Sequence, residues 1–149
     1  MYSFIVRGFP LKVCEGKAFR ARTPEDVCRI MEDLTVLPQE AFAVLAVNSK
    51  NFVIDKYVPT LGIIDAALIH PREVFRHAIM VSASAIILVH NHPSGDTTPS
   101  SEDIRITKQL VEAGRIVDIK VLDHVIVGKK SESIKGFTSL REAGIVEFT

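Results

Sequence analysis

Cysteine is scarce in this chain. Cys14 and Cys28 are the only two in 149 residues. They form neither a C-x-x-C pair nor a ligand cluster, which argues against a disulfide framework and leaves two reduced thiols as the expectation. An excess of one charge is missing too: 18 Lys and Arg balance 18 Asp and Glu. The totals therefore give no electrostatic case for nonspecific nucleic-acid binding, although a local basic patch is compatible with them. No apolar run approaches the roughly 20 residues that cross a bilayer. The opening Met-Tyr-Ser-Phe-Ile-Val-Arg-Gly also lacks the long apolar core of a signal peptide. No membrane contact and a cytoplasmic location are the resulting expectations. Internal repeats, linkers and low-complexity segments are absent as well. What is present is enough apolar sequence to bury one domain core without staples.

Along the chain, residues 2 to 6 and 11 to 15 read as two short strands around Gly8-Phe9-Pro10, a peripheral arm over residues 1–22. Thr23-Pro24-Glu25-Asp26 reads as a helix start, with Thr capping, Pro in the first turn and acids at the positive end of the dipole. Val27, Ile30, Met31 and Leu34 keep helical spacing behind it. Ala41 to Val47 and Phe52 to Val58 read as antiparallel strands joined through Asn48-Ser49-Lys50-Asn51. Gly62 to Ile69 fits strand or loop. His70-Pro71 opens a helix to about Met80, in which His77 is expected at the surface. The pattern then predicts a helix from Ser101 to Ala113 ended by Gly114, and strands at Val117–Val121 and His124–Val127. A short polar helix over Thr138–Gly144 and a last strand at Val146–Phe148 complete the chain. Residues 23–149 are thus expected as one compact α/β layered domain.

The densest chemistry lies between residues 85 and 103. Ala85 to Val89 is a short apolar run with β-branched residues, the pattern of a strand buried on both faces. It ends in His90-Asn91-His92. Side chains alternate along a strand, so both imidazoles can converge on one point. Pro93, Gly95 and Pro99 make a loop, and Asp103 falls in the first turn of the next helix. Each residue alone has an ordinary explanation: a His at a strand end is usually structural, and Ser100-x-x-Asp103 is close to a capping box. Together they are expensive as core architecture, because an unpaired buried polar group costs about 1–3 kcal/mol. Two imidazole nitrogens and one carboxylate form the protein ligand set of a catalytic zinc site, and a metal gives all three a common reason.

The spacing His90-x-His92-x7-Ser100-x2-Asp103 resembles the JAMM motif of the JAB/MPN metalloenzyme domain. The longer string His-Asn-His-Pro-Ser-Gly-Asp-x-x-Pro-Ser-x-Glu-Asp-Ile, together with Leu122-Asp123-His124, is similar to the RadC subgroup. The resemblance implies a JAB/MPN (cytidine deaminase-like) layered fold over roughly residues 20 to 145, a mixed curved sheet flanked by helices. It implies Zn2+ held by His90, His92 and Asp103. It also implies a general acid/base at Glu40, a position that on sequence alone is usually a solvated strand end. Ser100 is implied as donor to the oxyanion of a tetrahedral intermediate, or as a helix cap. The implied reaction is hydrolysis of a peptide or isopeptide bond in a peptide or protein substrate. Asp123 and His124 match the family string but stand outside the JAMM ligands, so packing or support from behind the ligands is expected of them. His70 likewise matches no metal position. Gly62-Ile63-Ile64-Asp65 departs from the Gly-Thr-Leu-Asn usual in RadC-like chains, which touches only the rim of the site.

Three other readings compete. A zinc deaminase needs Pro-Cys-x-x-Cys, which is absent. The consecutive His-Asn-His is not the dispersed triad of an HNH nuclease. A DNA-repair-associated, noncatalytic role is the serious alternative, since RadC-like proteins carry that label. Longer members have an N-terminal helix-hairpin-helix region, for which the residues ahead of Thr23 leave no room. Lys129-Lys130 reads as a solvated pair.

Overall fold

A computed structural model of the chain describes residues 2–6, 9–13, 19–62, 69–129 and 135–148. Cys14, the segment Ile63-Ile64-Asp65 and Lys130 lie outside them. Strands β1 (Tyr2–Val6) and β2 (Phe9–Val13) pair as an antiparallel hairpin, the second strand starting two residues earlier than its sequence suggested. The main sheet has five strands: β3 (Ala41–Val47), β4 (Val53–Leu61), β5 (Ala85–Asn91), β6 (Lys120–Val127) and β7 (Phe137–Ser139). Their order is β4-β3-β5-β6-β7. Only β5 and β6 run parallel, and helix α3 (Ser101–Val117) makes the crossover between them. This is the expected mixed sheet flanked by helices.

Side-chain alternation sorts the sheet into two buried faces. Phe42, Val44, Ala46, Ile86, Leu88 and Ile126 pack with helix α2 (Pro71–Met80) and α3. Ala43, Leu45, Val47, Ile87, Val89 and Val125 pack with α1 (Pro24–Ile30) and the 3-10 turn Glu32–Val36 that follows it. Because β3 and β5 are interior strands, every one of their residues is buried, which explains the unbroken apolar runs Ala41–Val47 and Ala85–Val89. Helix α1 begins as read, with Thr23 Oγ1 accepting from Asp26 N–H and Asp26 accepting from Thr23 N–H. The α-helix ends at Ile30, earlier than the apolar spacing through Leu34 suggested, and the 3-10 turn carries Leu34 into the core. Among the described residues no helix is long and apolar enough to cross a membrane.

Several local expectations change in the structure. Helix α3 does not stop before Gly114 but continues to Val117, and Asp118 takes the left-handed C-cap conformation at φ 59°. Gly114 serves packing: a Cβ there would lie 2.5 Å from the Ile119 carbonyl oxygen and 3.4 Å from the Phe75 ring. The glycine lets the helix end press against the start of β6. The strands expected at Val117–Val121 and His124–Val127 are one strand, β6, interrupted by a bulge. Ile86 pairs with Val121 but Ile87 pairs with Asp123, which leaves Leu122 as the extra residue. His77 is half-buried, its Nε2 2.6 Å from Asp55 Oδ2 and its ring against Tyr57, because β4 runs beneath α2. At the C-terminal end Phe137–Ser139 is a strand and residues 140–144 form turns, while 146–148 are in no strand. There Val146 and Phe148 close the core from the α2/α3 side.

Candidate metal centre

The bulge in β6 decides which side chains meet. Ile119 and Val121 face α3 before it, and His124 and Ile126 face α3 after it. A regular strand would have turned His124 to the opposite face. In the neighbouring strand His90 follows Ile86 and Leu88 on that same face, so His90 and His124 stand side by side with ring centroids 4.9 Å apart. Both are fully buried, and Phe42 stacks on one and meets the other edge-on.

His92 lies just past the end of β5, and the Pro93–Gly95 turn folds back to meet it. Gly95, at φ 88°, closes that turn with its N–H on the His92 carbonyl. The Asp96 carbonyl then accepts from His92 Nδ1–H at 2.7 Å. A carbonyl can only accept, so neutral His92 keeps its proton on Nδ1 and turns a bare Nε2 inward. Asp103 enters from the first turn of α3. Its carboxylate oxygens sit 3.3 Å from His90 Nε2 and 3.4 Å from His92 Nε2, and the two Nε2 atoms are 2.9 Å apart. Glu40, at the start of β3, places Oε1 3.9 Å from His92 Nε2 and is the more exposed of the two acids. Glu40, His90 and His92 each offer a ligand atom within 4.8 Å of the others.

Ser100 and Asp103 form a capping box: Ser100 Oγ accepts from Asp103 N–H at 3.0 Å, and Asp103 Oδ2 accepts from Ser100 N–H at 2.8 Å. Capping uses a lone pair of Oγ and leaves its O–H able to donate elsewhere, so cap and donor are not exclusive roles. Burial by itself would raise the Asp103 carboxyl. The adjoining His90 and His92 and the Ser100 N–H outweigh it and hold the group well below the usual carboxylate range. His92 is pushed up in turn, first by its contact with Asp103, against the opposing effect of burial.

This donor set fits a zinc ion. Tetrahedral bonds of about 2.0–2.2 Å place ligand atoms about 3.3–3.5 Å apart; the two His–Asp separations, 3.3 and 3.4 Å, match this, and the two Nε2 atoms, at 2.9 Å, stand closer than it. A buried carboxylate here needs a positive partner to offset its desolvation, a part that a bound cation or a protonated imidazole can play.

No sequence pattern singles out Asn91, which lies on the opposite face of β5 from His90. Its Oδ1 accepts from Ala41 N–H at 2.6 Å and its Nδ2 donates to the Gln39 carbonyl at 2.9 Å. One side chain thus holds the backbone on both sides of Glu40. The available signal was that a polar residue inside a doubly buried strand must be hydrogen-bonded. Asn91→Ala is expected to cost about 1–3 kcal/mol by leaving the Ala41 N–H buried without a partner, measured by urea unfolding; an unchanged midpoint would contradict the clamp. Asp123 serves a different purpose. It accepts from the backbone N–H groups of His124 and Arg141 and from Ser139 Oγ, tying β6 to the turn after β7. Burial raises its carboxyl despite those donors.

Residues 21–145 match the family model described as the RadC-like JAB domain. A UPF0758 protein of Desulforamulus reducens is 50% identical over 126 residues, 84% of this chain and 53% of that protein. A UPF0758 protein of Caldanaerobacter subterraneus subsp. tengcongensis is 50% identical over 135 residues, 90% of this chain and 56% of the relative. A third, from Geobacillus sp. (strain WCH70), is 50% identical over 126 residues, 84% of this chain and 54% of its own length. The chain thus spans about half the length of these relatives. With five mixed strands, flanking helices and a family match over most of its residues, the chain belongs to the RadC-like JAB domain family.

Proposed function

We propose that this domain is a zinc-dependent hydrolase of peptide or isopeptide bonds, with His90, His92 and Asp103 as the metal's protein ligands. The observation that carries the reading is the convergence of His90 Nε2, His92 Nε2 and the Asp103 carboxylate at 2.9–3.4 Å, with Glu40 beside them. A bound zinc ion would supply a Lewis acid that polarises the amide carbonyl and brings the pKa of water down to about 7. Glu40 accepts the proton of the attacking water and returns it to the leaving nitrogen as the C–N bond breaks. The O–H of Ser100 donates to the carbonyl oxygen as that atom gains negative charge. Water's oxygen stays on the acyl carbon, and the products are a carboxylate and an amine.

The test uses one preparation for two assays. Turnover of a panel of peptides and isopeptide-linked peptides is expected to vanish with chelator and return with zinc. Binding to duplex DNA is expected to be weak at physiological salt and to fall steeply as salt rises. No zinc-dependent cleavage across the panel, joined with tight, salt-resistant DNA binding that survives Asp103→Ala, would overturn the hydrolase reading in favour of the DNA-associated one.

A further inference from the structure

We propose that Thr107 and His124 are positioning residues that fix the ring of His90 in one tautomer, with its proton on Nδ1 and the lone pair of Nε2 presented to the metal. This inference rests on the metal-site reading above and assigns two buried polar residues that the reading leaves without a role.

The contacts form a line that leaves the site at the Asp103 backbone and returns to it through His90. Asp103, a residue of the site, has a backbone carbonyl that accepts from Thr107 Oγ1–H at 2.6 Å. Thr107 Oγ1 also faces His124 Nδ1, at 2.5 Å. His124 Nε2 faces His90 Nδ1 at 2.8 Å. His90 Nε2 then faces Asp103 Oδ1 and His92 Nε2. Thr107, His124 and His90 have no accessible surface, and Asp103 has 3%. Water therefore cannot substitute for any member of the line.

Donor and acceptor capacity sets every proton in it. A carbonyl oxygen only accepts, so the single proton of the Thr107 hydroxyl is used on Asp103 O. The hydroxyl oxygen must then accept, which places a proton on His124 Nδ1. A second proton on His124 would put an unpaired charge in a site without water, against the edge of Phe42. Neutral His124 thus has a bare Nε2, which must accept from His90 Nδ1–H. The proton of neutral His90 is thereby held on the side facing His124, and its Nε2 is free to bind. His92 reaches the same state by the simpler route of the Asp96 carbonyl. Two imidazoles on different supports thus offer the same ligand atom. The device depends on the Leu122 bulge, since without it His124 would face the other side of the sheet. It also depends on Thr107 lying one helical turn after Asp103, so that one stretch of α3 supplies both a carboxylate and the anchor of the line.

The test reads the tautomer directly. Nitrogen-15 NMR of the metal-free protein, at a pH where the imidazoles are neutral, is expected to show His90 and His124 both protonated on Nδ1 and bare on Nε2. Zinc affinity is measured alongside by competition with a chromogenic chelator. Thr107→Val, which keeps the shape and removes the hydroxyl, is expected to weaken zinc binding about 10- to 100-fold. His124→Leu is expected to weaken it as well. His124→Gln is expected to bind more tightly than His124→Leu, because its side-chain oxygen can accept from His90 Nδ1–H. A His90 proton found on Nε2 in the parent protein overturns the proposal, as does unchanged zinc affinity in both Thr107→Val and His124→Leu. The NMR arm needs neither metal, substrate nor a variant that folds. A parent protein with the expected tautomers that binds no zinc would refute the hydrolase reading and leave the relay standing.

Discussion

Replacing His92 with Ala is expected to abolish zinc binding, taking the purified protein from about one zinc per chain to none. His92 is the cleanest of the proposed ligands to remove. It sits beyond the end of β5 on a turn, and its ring is partly exposed. His90→Ala should lose the metal equally, but it also empties a fully buried space between Phe42 and His124, and any loss of fold would confuse the result. Asp103 needs a gentler change. Its Oδ2 accepts the Ser100 N–H, so Asp103→Ala would remove half of the capping box together with a proposed ligand. Asp103→Asn keeps an acceptor for the cap and removes the charge that the cation needs. Metal analysis of the two variants, with circular dichroism to check that both remain folded, decides the matter. Zinc retained at parental affinity by folded His92→Ala and Asp103→Asn would remove the ligand assignment.

Much of this centre was legible because its parts are local. The apolar run from Ala85 fixes β5, alternation brings His90 and His92 toward one point, and the Ser100/Asp103 pair marks the start of α3. What was not legible depends on residues far apart in the chain. The Asn91 clamp joins positions separated by 50 residues, and the His90–His124 contact spans 34. Nothing near Asn91 announces that its amide will find Ala41 and Gln39. The Leu122 bulge was harder still, since an extra residue in a strand breaks the very alternation from which strands are read. It made one strand look like two. Gly114 misled for a related reason: a glycine after an amphipathic run is the usual mark of a helix end, yet this one is required by the backbone of Ile119. His77 was expected at the surface because its partner, Asp55, belongs to a strand whose position under α2 no local pattern gives.

The contrast between Glu40 and the three proposed ligands supplies the second large effect. Glu40→Gln is expected to leave zinc binding and stability close to parental while reducing hydrolysis about 10²- to 10⁴-fold, the range typical for loss of a general acid/base. The geometry makes the expectation specific. Glu40 Oε1 lies 3.9 Å from His92 Nε2, farther than either His–Asp103 separation in the cluster. Its side chain is 31% exposed, whereas that of Asp103 is 4% exposed. A group that exchanges protons with water and substrate needs that access, and a buried ligand does not. Glutamine matches glutamate in shape, and the backbone around residue 40 is held by Asn91 and by the Gly62 N–H on the Glu40 carbonyl. The substitution should therefore remove proton transfer without moving the strand. The two roles open to an acid at this distance give opposite results in one titration. If Glu40→Gln lowers zinc affinity as severely as His92→Ala does, Glu40 is a ligand and the proton-transfer role fails. If zinc affinity is kept and turnover is kept with it, another group moves the proton. Retained zinc with lost turnover, measured on the same preparation, is the outcome that places Glu40 in the chemistry of the bond and outside the coordination of the metal.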